Sequence, residues 1–180
     1  WLQGSAFTGA LLSMLLVFGI AHGSGAWNSH RLLLTGVVVA AGWGAVIAFL
    51  LAISPTQGFR GMLFWLMGDL SRASLPVLAS GILAGGLVIA LAIGRSLNLL
   101  TSGELTAQSL GVPVKSLRIV IYLLASSLTA VAVTLAGSIG FVGLVVPHLL
   151  RLAGIRDHRL LLPATVLLGG TLLVVADTLA

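Results

Sequence analysis

Leu97-Asn-Leu-Leu-Thr-Ser-Gly-Glu-Leu-Thr-Ala-Gln-Ser-Leu-Gly-Val-Pro-Val114 is a polar interruption between long apolar runs. Thr101, Ser102, Gly103 and Glu104 fit the capping-box spacing. That spacing predicts a short helix opening at Thr101, whose hydroxyl accepts from the first-turn amides while the Glu104 carboxylate reaches back to the cap amide. Gly111 suits the residue just past a helix end, and Pro113 stops any continuation, which leaves room for about two turns. A helix that short is not stable alone in water, so it must dock on something. Leu105 and Leu110 are its apolar contacts, beside Glu104, Thr106 and Gln108. A plain connecting loop with one helical turn satisfies the same local signals.

The surrounding sequence is 58% hydrophobic and 7% charged, with a mean hydropathy of +1.17. Such a chain belongs in a bilayer rather than in a soluble globular class. A helical span needs about 20 mostly apolar residues. The stretches 6–21, 32–54, 74–94, 116–136, a shorter 139–153, and 160–180 meet or approach that length, which predicts an all-α transmembrane bundle of about six spans. The net charge of +5 comes from nine basic residues scattered among the interruptions, without a basic tract, so it points to membrane topology and not to nucleic acid. The absence of cysteine excludes disulfides and thiolate metal sites within these 180 residues. The sequence opens at Trp1 and closes inside an apolar run, which is expected of a fragment truncated at both ends.

In chain order, the loop His22–His30 carries Gly23-Ser24-Gly25, which reads as a flexible loop and not as a serine-protease nucleophile turn, because no Gly-x-Ser-x-Gly framework surrounds Ser24. The span 32–54 holds Gly36, Ala40, Ala41, Gly42, Gly44 and Ala45, small residues that let helix backbones approach closely. Phe59–Leu70, with Phe59, Phe64 and Trp65 beside Arg60 and Asp69, suits a short amphipathic segment at a membrane interface. Arg95 precedes the polar interruption, and Lys115 and Arg118 follow it. Alternating sides from that anchor gathers Arg31, Arg95, Lys115, Arg118, Arg151, Arg156 and Arg159 on one face of the membrane, against Arg60 and Arg72 on the other. The positive-inside bias makes the richer face cytoplasmic. This alternation requires 139–153 to cross. That stretch is short and broken by Gly140, Gly143 and Pro147, so the reading is a kinked span near the protein interior.

His148, Asp157 and His158 form no metal-ligand spacing, with no His pair at i, i+4 and no neighbouring carboxylate pair, so no metal site is expected. Asp177 is the acidic residue inside an apolar run; it fits a functional site in a substrate path or a cap for a following helix, and its place near the outer surface favours the structural role. The lone lysine, Lys115, lacks the glycine pattern of a phosphate-binding loop, so this chain is not expected to hydrolyse ATP or to carry catalytic residues.

Several landmarks fall in one order: Arg31-Leu-Leu-Leu-Thr-Gly36, Phe64-Trp-Leu-Met-Gly68, Leu97–Val114, Gly137-Ser-Ile-Gly-Phe-Val-Gly-Leu-Val-Val-Pro-His-Leu-Leu-Arg151, Asp157-His-Arg159, Leu162-Pro-Ala164 and Ala176-Asp-Thr-Leu-Ala180. Together they resemble the FecCD-like permease subunits of ABC importers for iron–siderophore, haem and cobalamin complexes. The resemblance covers nearly the whole chain. It implies a partial permease domain over 1–180, part of a ten-span protein, with 99–114 as its cytoplasmic coupling loop. It implies that Gly103, Glu104, Ala107, Leu110 and Gly111 engage an ATPase, and that Ser29, His30 and Gly36 lie at the gate or along the translocation path. It further implies two ATPase subunits that bind ATP as the cofactor, a permease homodimer, an external substrate-binding protein received near Phe59–Leu70, and a multi-pass place in the lipid of the bacterial inner membrane. The cargo so implied is a metal chelate, most often a ferric siderophore, which needs no protein ligands for its metal. The rival readings are an ion-coupled secondary transporter, which needs ionisable groups inside several spans, an intramembrane enzyme built on Ser24, and a purely structural subunit.

Overall fold

The computed structural model describes residues 2–22, 29–54, 61–63, 66–68 and 77–179. The segment around Phe59, Arg60, Phe64, Trp65, Asp69 and Arg72, and the loop bearing Ser24, lie outside the described residues. Helices α1 (Leu2–His22), α2 (Ser29–Ile53), α3 (Val77–Ala92), α4 (Gly94–Thr101), α5 (Glu104–Ser109), α6 (Val114–Ala136), α7 (Val142–Leu152) and α8 (His158–Leu179) follow one another in the chain. Among them α1, α2, α6 and α8 are long and apolar enough to cross a membrane unaided. The pair α3 and α4, bent by 52° at Ile93, meets the same length and apolarity when the two helices are taken together. The chain is a multi-pass helical membrane protein.

The helices pack antiparallel. Phe18, near the end of α1, meets Tyr122, near the start of α6, edge to face at 5.2 Å between ring centres. Midway along α3 the backbone of Gly86 lies so close to α6 that a Cβ there would stand 2.6 Å from a Leu128 methyl. At the far end of α6, Gly68 fits against Ala136, Ser138 and Ile139. These contacts place the end of α1, the α3–α4 bend and the start of α6 at one pole of the bundle, and the end of α6 at the other.

The stretch read from sequence as a kinked sixth span departs from a simple helix. Helix α7 has 11 residues, about 16 Å at about 1.5 Å per residue, roughly half the hydrocarbon thickness of about 30 Å. Residues 137–140 ahead of it are not helical, and Phe141, its N-cap, is left-handed at φ 66°. The chain nevertheless returns to the first pole, because Asn98 of α4 is hydrogen-bonded to Asp157 and His158 just past α7. The crossing is therefore shared between irregular backbone and a half-length helix. Its Val146 is fully buried, and α7 packs along α8. Of the irregular stretch only Gly137 is buried within the described chain, and residues 138–141 are exposed, so the interior placement expected from the sequence is met at Gly137 and Val146 and not along the whole stretch.

Candidate functional site

At the pole that carries Arg95, Lys115, Arg118, Arg151, Arg156 and Arg159, the polar interruption folds as a helix, a glycine break, a second short helix and a tight reversal. The helix start differs from the capping box read in the sequence. Thr101 is the last residue of α4, and its hydroxyl donates to the Asn98 carbonyl at 2.6 Å, as a residue inside a helix does. The N-cap of α5 is Gly103, at φ 106° and ψ 152°, and no side chain caps it. That region of backbone space is open almost only to glycine. Glu104, freed from capping, pairs instead with the Arg118 guanidinium of α6. The local rule failed because α4 runs on through Leu97–Thr101 and already occupies the hydroxyl.

The C-terminal end of α5 follows the sequence expectation. Gly111, at φ 83°, sits at C′. Its N–H donates to Gln108 at 2.9 Å, and the Val112 N–H donates to Ala107 at 3.0 Å, the double closure of a Schellman turn. The accompanying apolar contact is present as well: Val112 packs with Ala107, Val114 and Leu117, flanked by Ile93, Leu99, Leu100 and Ile121. At this polar pole, burying a Val or Leu side chain stabilises by roughly 1.5–3 kcal/mol. That docking holds a six-residue helix that could not persist alone.

The five coupling candidates divide by role. Ala107 is 0% exposed and faces its own chain, so it anchors α5. Gly103 and Gly111 set the backbone at the two ends. Glu104, half exposed, is oriented by Arg118. Leu110 is 60% exposed, and its neighbour Leu105 is 83% exposed. These two large apolar side chains are held outward on a docked helix, at the polar end of a membrane protein. Leu105 is the more exposed of the two, and its apolar type among Glu104 and Thr106 was the signal for it.

One element of the site was not read from the sequence. The Asn98 amide donates to Asp157 Oδ1 at 2.6 Å, while Asn98 Oδ1 accepts from the His158 backbone N–H at 2.9 Å and lies 2.7 Å from His158 Nδ1. A carbonyl oxygen accepts only, so His158 carries its proton on Nδ1. Asp157 also caps α8, accepting from the Arg159 N–H at 2.9 Å. The Asn98 hydrogen bond, aided by the Arg159 N–H, holds the Asp157 carboxyl below its usual pKa of 3.8. Four residues before Asn98, Gly94 brings the α4 backbone against Arg159, and a Cβ there would stand 3.2 Å from Arg159 Cγ.

The remaining sequence candidates are placed apart from this site. Ser29 and His30 open α2, with side chains outside what the structure describes, and Gly36 faces open space one and a half turns on. Asp177 is exposed near the end of α8. Among the described residues no group of three or more His, Asp or Glu is placed to hold a metal ion.

The model of the FecCD transport family matches residues 1–180. The chain belongs to the FecCD transport family. It is 43% identical, over 99% of its length and 48% of the relative's, to the cobalamin import system permease protein BtuC of Halobacterium salinarum. It is 41% identical to the hemin transport system permease protein HmuU of Yersinia pestis, over 97% of this chain and 53% of that one. A solved structure described as an inward-facing conformation of a metal-chelate type ABC transporter superposes with a TM-score of 0.82 at 31% identity, over 97% of this chain and 63% of that one. The chain thus spans about half the length of the curated relatives it matches.

Proposed function

We propose that this chain is part of the permease subunit of an ATP-binding-cassette importer, and that α5 is the handle by which separate ATPase subunits drive it. The observation that carries the reading is α5 itself: a six-residue helix fixed to its own chain by Ala107, Val112, Val114 and Leu117, and offering Leu105 and Leu110 outward. The basic residues at this pole support a cytoplasmic placement in a bacterial inner membrane, where ATP is available. Two ATPase subunits on two permease copies, with a binding protein on the far face, complete the proposed assembly. ATP-driven closure would bias the bundle between two arrangements, open to one side or the other.

The cargo class is a metal chelate, whose metal is already coordinated and asks nothing of the protein's own side chains. A ferric siderophore is the finer reading from the motif resemblance. The relatives named for cobalamin and hemin favour a second, a macrocyclic chelate. The test is reconstitution of the full-length protein with its co-purifying ATPase and binding protein in vesicles, screened with ferric siderophores, haem and cobalamin. Uptake that requires ATP and responds to one of these supports the reading. Uptake that survives ATP depletion and collapses with an ionophore would replace it with ion-coupled transport.

A further inference from the structure

Helix α5 has two lines of attachment to the spans. One runs directly into α6, through the Ala107–Leu117 cluster and the Glu104–Arg118 pair. The other runs back along α4 to α8. Here α4 is an eight-residue helix, set off from α3 by a 52° bend, followed by α5 after Ser102 and Gly103, and packed through Leu99 and Leu100 on the cluster that holds Ala107. Its Gly94 and Asn98 lie one turn apart on one face, and both meet the first turn of α8. At that meeting a single amide uses both of its ends: Nδ2 donates to the Asp157 carboxylate, and Oδ1 accepts from the His158 backbone N–H. The contact joins residues 59 and 60 positions apart in the chain.

We infer that Asn98 is a positioning residue for coupling: its amide clamps α4 to the capped start of α8, so that α4 acts as a strut carrying displacement of α5 into α8 and its partner α7. The inference rests on α5 being the ATPase handle. A bent, separate helix can carry load only if its far end is fixed against the element it moves. Helix–helix apolar packing alone permits sliding, whereas three directed hydrogen bonds between one side chain and a helix start fix both distance and register. Asn98 is the residue that supplies them. Aspartate at 98 keeps the acceptor but sets a carboxylate against Asp157; asparagine at 157 then returns a donor to the pair.

The experiment uses full-length transporter with its ATPase and binding protein in proteoliposomes, reading uptake, ATP hydrolysis and their ratio. N98D and N98L are expected to keep ATPase binding and hydrolysis while uptake per ATP falls about fivefold or more, the lower end of ordinary coupling factors. N98D/D157N is expected to recover most of the loss. A cysteine pair, N98C/D157C, introduced into this cysteine-free stretch and bridged by a short thiol cross-linker, is expected to restore uptake per ATP over the unbridged pair, because the two ends move as one body. Wild-type uptake per ATP in N98D, no recovery in the double variant, or arrest of transport by the bridge would each overturn the strut while leaving the importer reading intact. Absence of ATP-dependent uptake in the wild-type assembly would remove both. Should N98L fail to assemble, N98D and its rescue still decide the matter, since they differ from the wild type only in polar atoms.

Discussion

Helix α2 and the pole around α5 are both parts of an oily chain, yet they are built on opposite principles. None of the span Arg31–Ile53 is buried within the described chain, and Leu33, Val38 and Phe49 all point outward. It is apolar on every side, as a helix is when its surroundings are lipid or other spans. The pole around α5, by contrast, concentrates the buried cluster, the Glu104–Arg118 pair and the Asn98–Asp157–His158 clamp. In a bilayer, length and hydropathy are enough to specify a helix, whereas orientation relative to neighbours has to be written in packing and hydrogen bonds. The chain writes it where it meets water.

That contrast can be broken most sharply at Glu104. Glu104→Lys sets two cations together in place of an ion pair, and uptake per ATP in reconstituted full-length transporter should fall about 5- to 150-fold. The spans should stay folded by circular dichroism, and Arg118→Glu added to it should recover part of the loss. Next in size is backbone strain at the same helix. Gly103→Val forces a branched side chain into a glycine-only conformation and should cost about 1–3 kcal/mol locally, seen as faster hydrogen exchange of the α5 amides. Ala107→Leu overfills a site with no exposure and should cost a comparable 1–3 kcal/mol in thermal unfolding.

A smaller effect comes from pH. The Asp157 carboxyl has its pKa lowered in the folded chain from 3.8, so its contribution is present above that value and is lost as pH falls through the lower folded pKa. Thermal stability should therefore drop more steeply below pH 3.8 in the wild type than in Asp157→Asn. The smallest effect lies in α2: Leu33→Ala, on a side chain already 69% exposed, should leave the unfolding temperature of this region within the reach of about 0.5 kcal/mol.

The sequence was most legible where one physical rule acts alone. Apolar length located α1, α2, α6 and α8, and Gly111 with Pro113 located the end of α5 because a positive φ and a missing N–H are local facts. Gly140, Gly143 and Pro147 announced the interrupted crossing, although not that helix would fill only residues 142–152 of it. The start of α5 was misread at Thr101 because four residues that fit a cap were judged without the helix running into them. Asn98 and Asp157 were invisible as a pair, since nothing local marks two polar residues 59 apart as partners. Their meeting depends on the bend at Ile93 and the short return through α7, both tertiary facts.

The close crossing of α3 over α6 has a consequence for how this protein varies. At Gly86 the space a methyl group would need is already taken by Leu128, whereas Val88, two residues on, is 66% exposed. A library of all substitutions at both positions, screened for folded full-length protein, should return mostly small residues at the first and a broad apolar alphabet at the second.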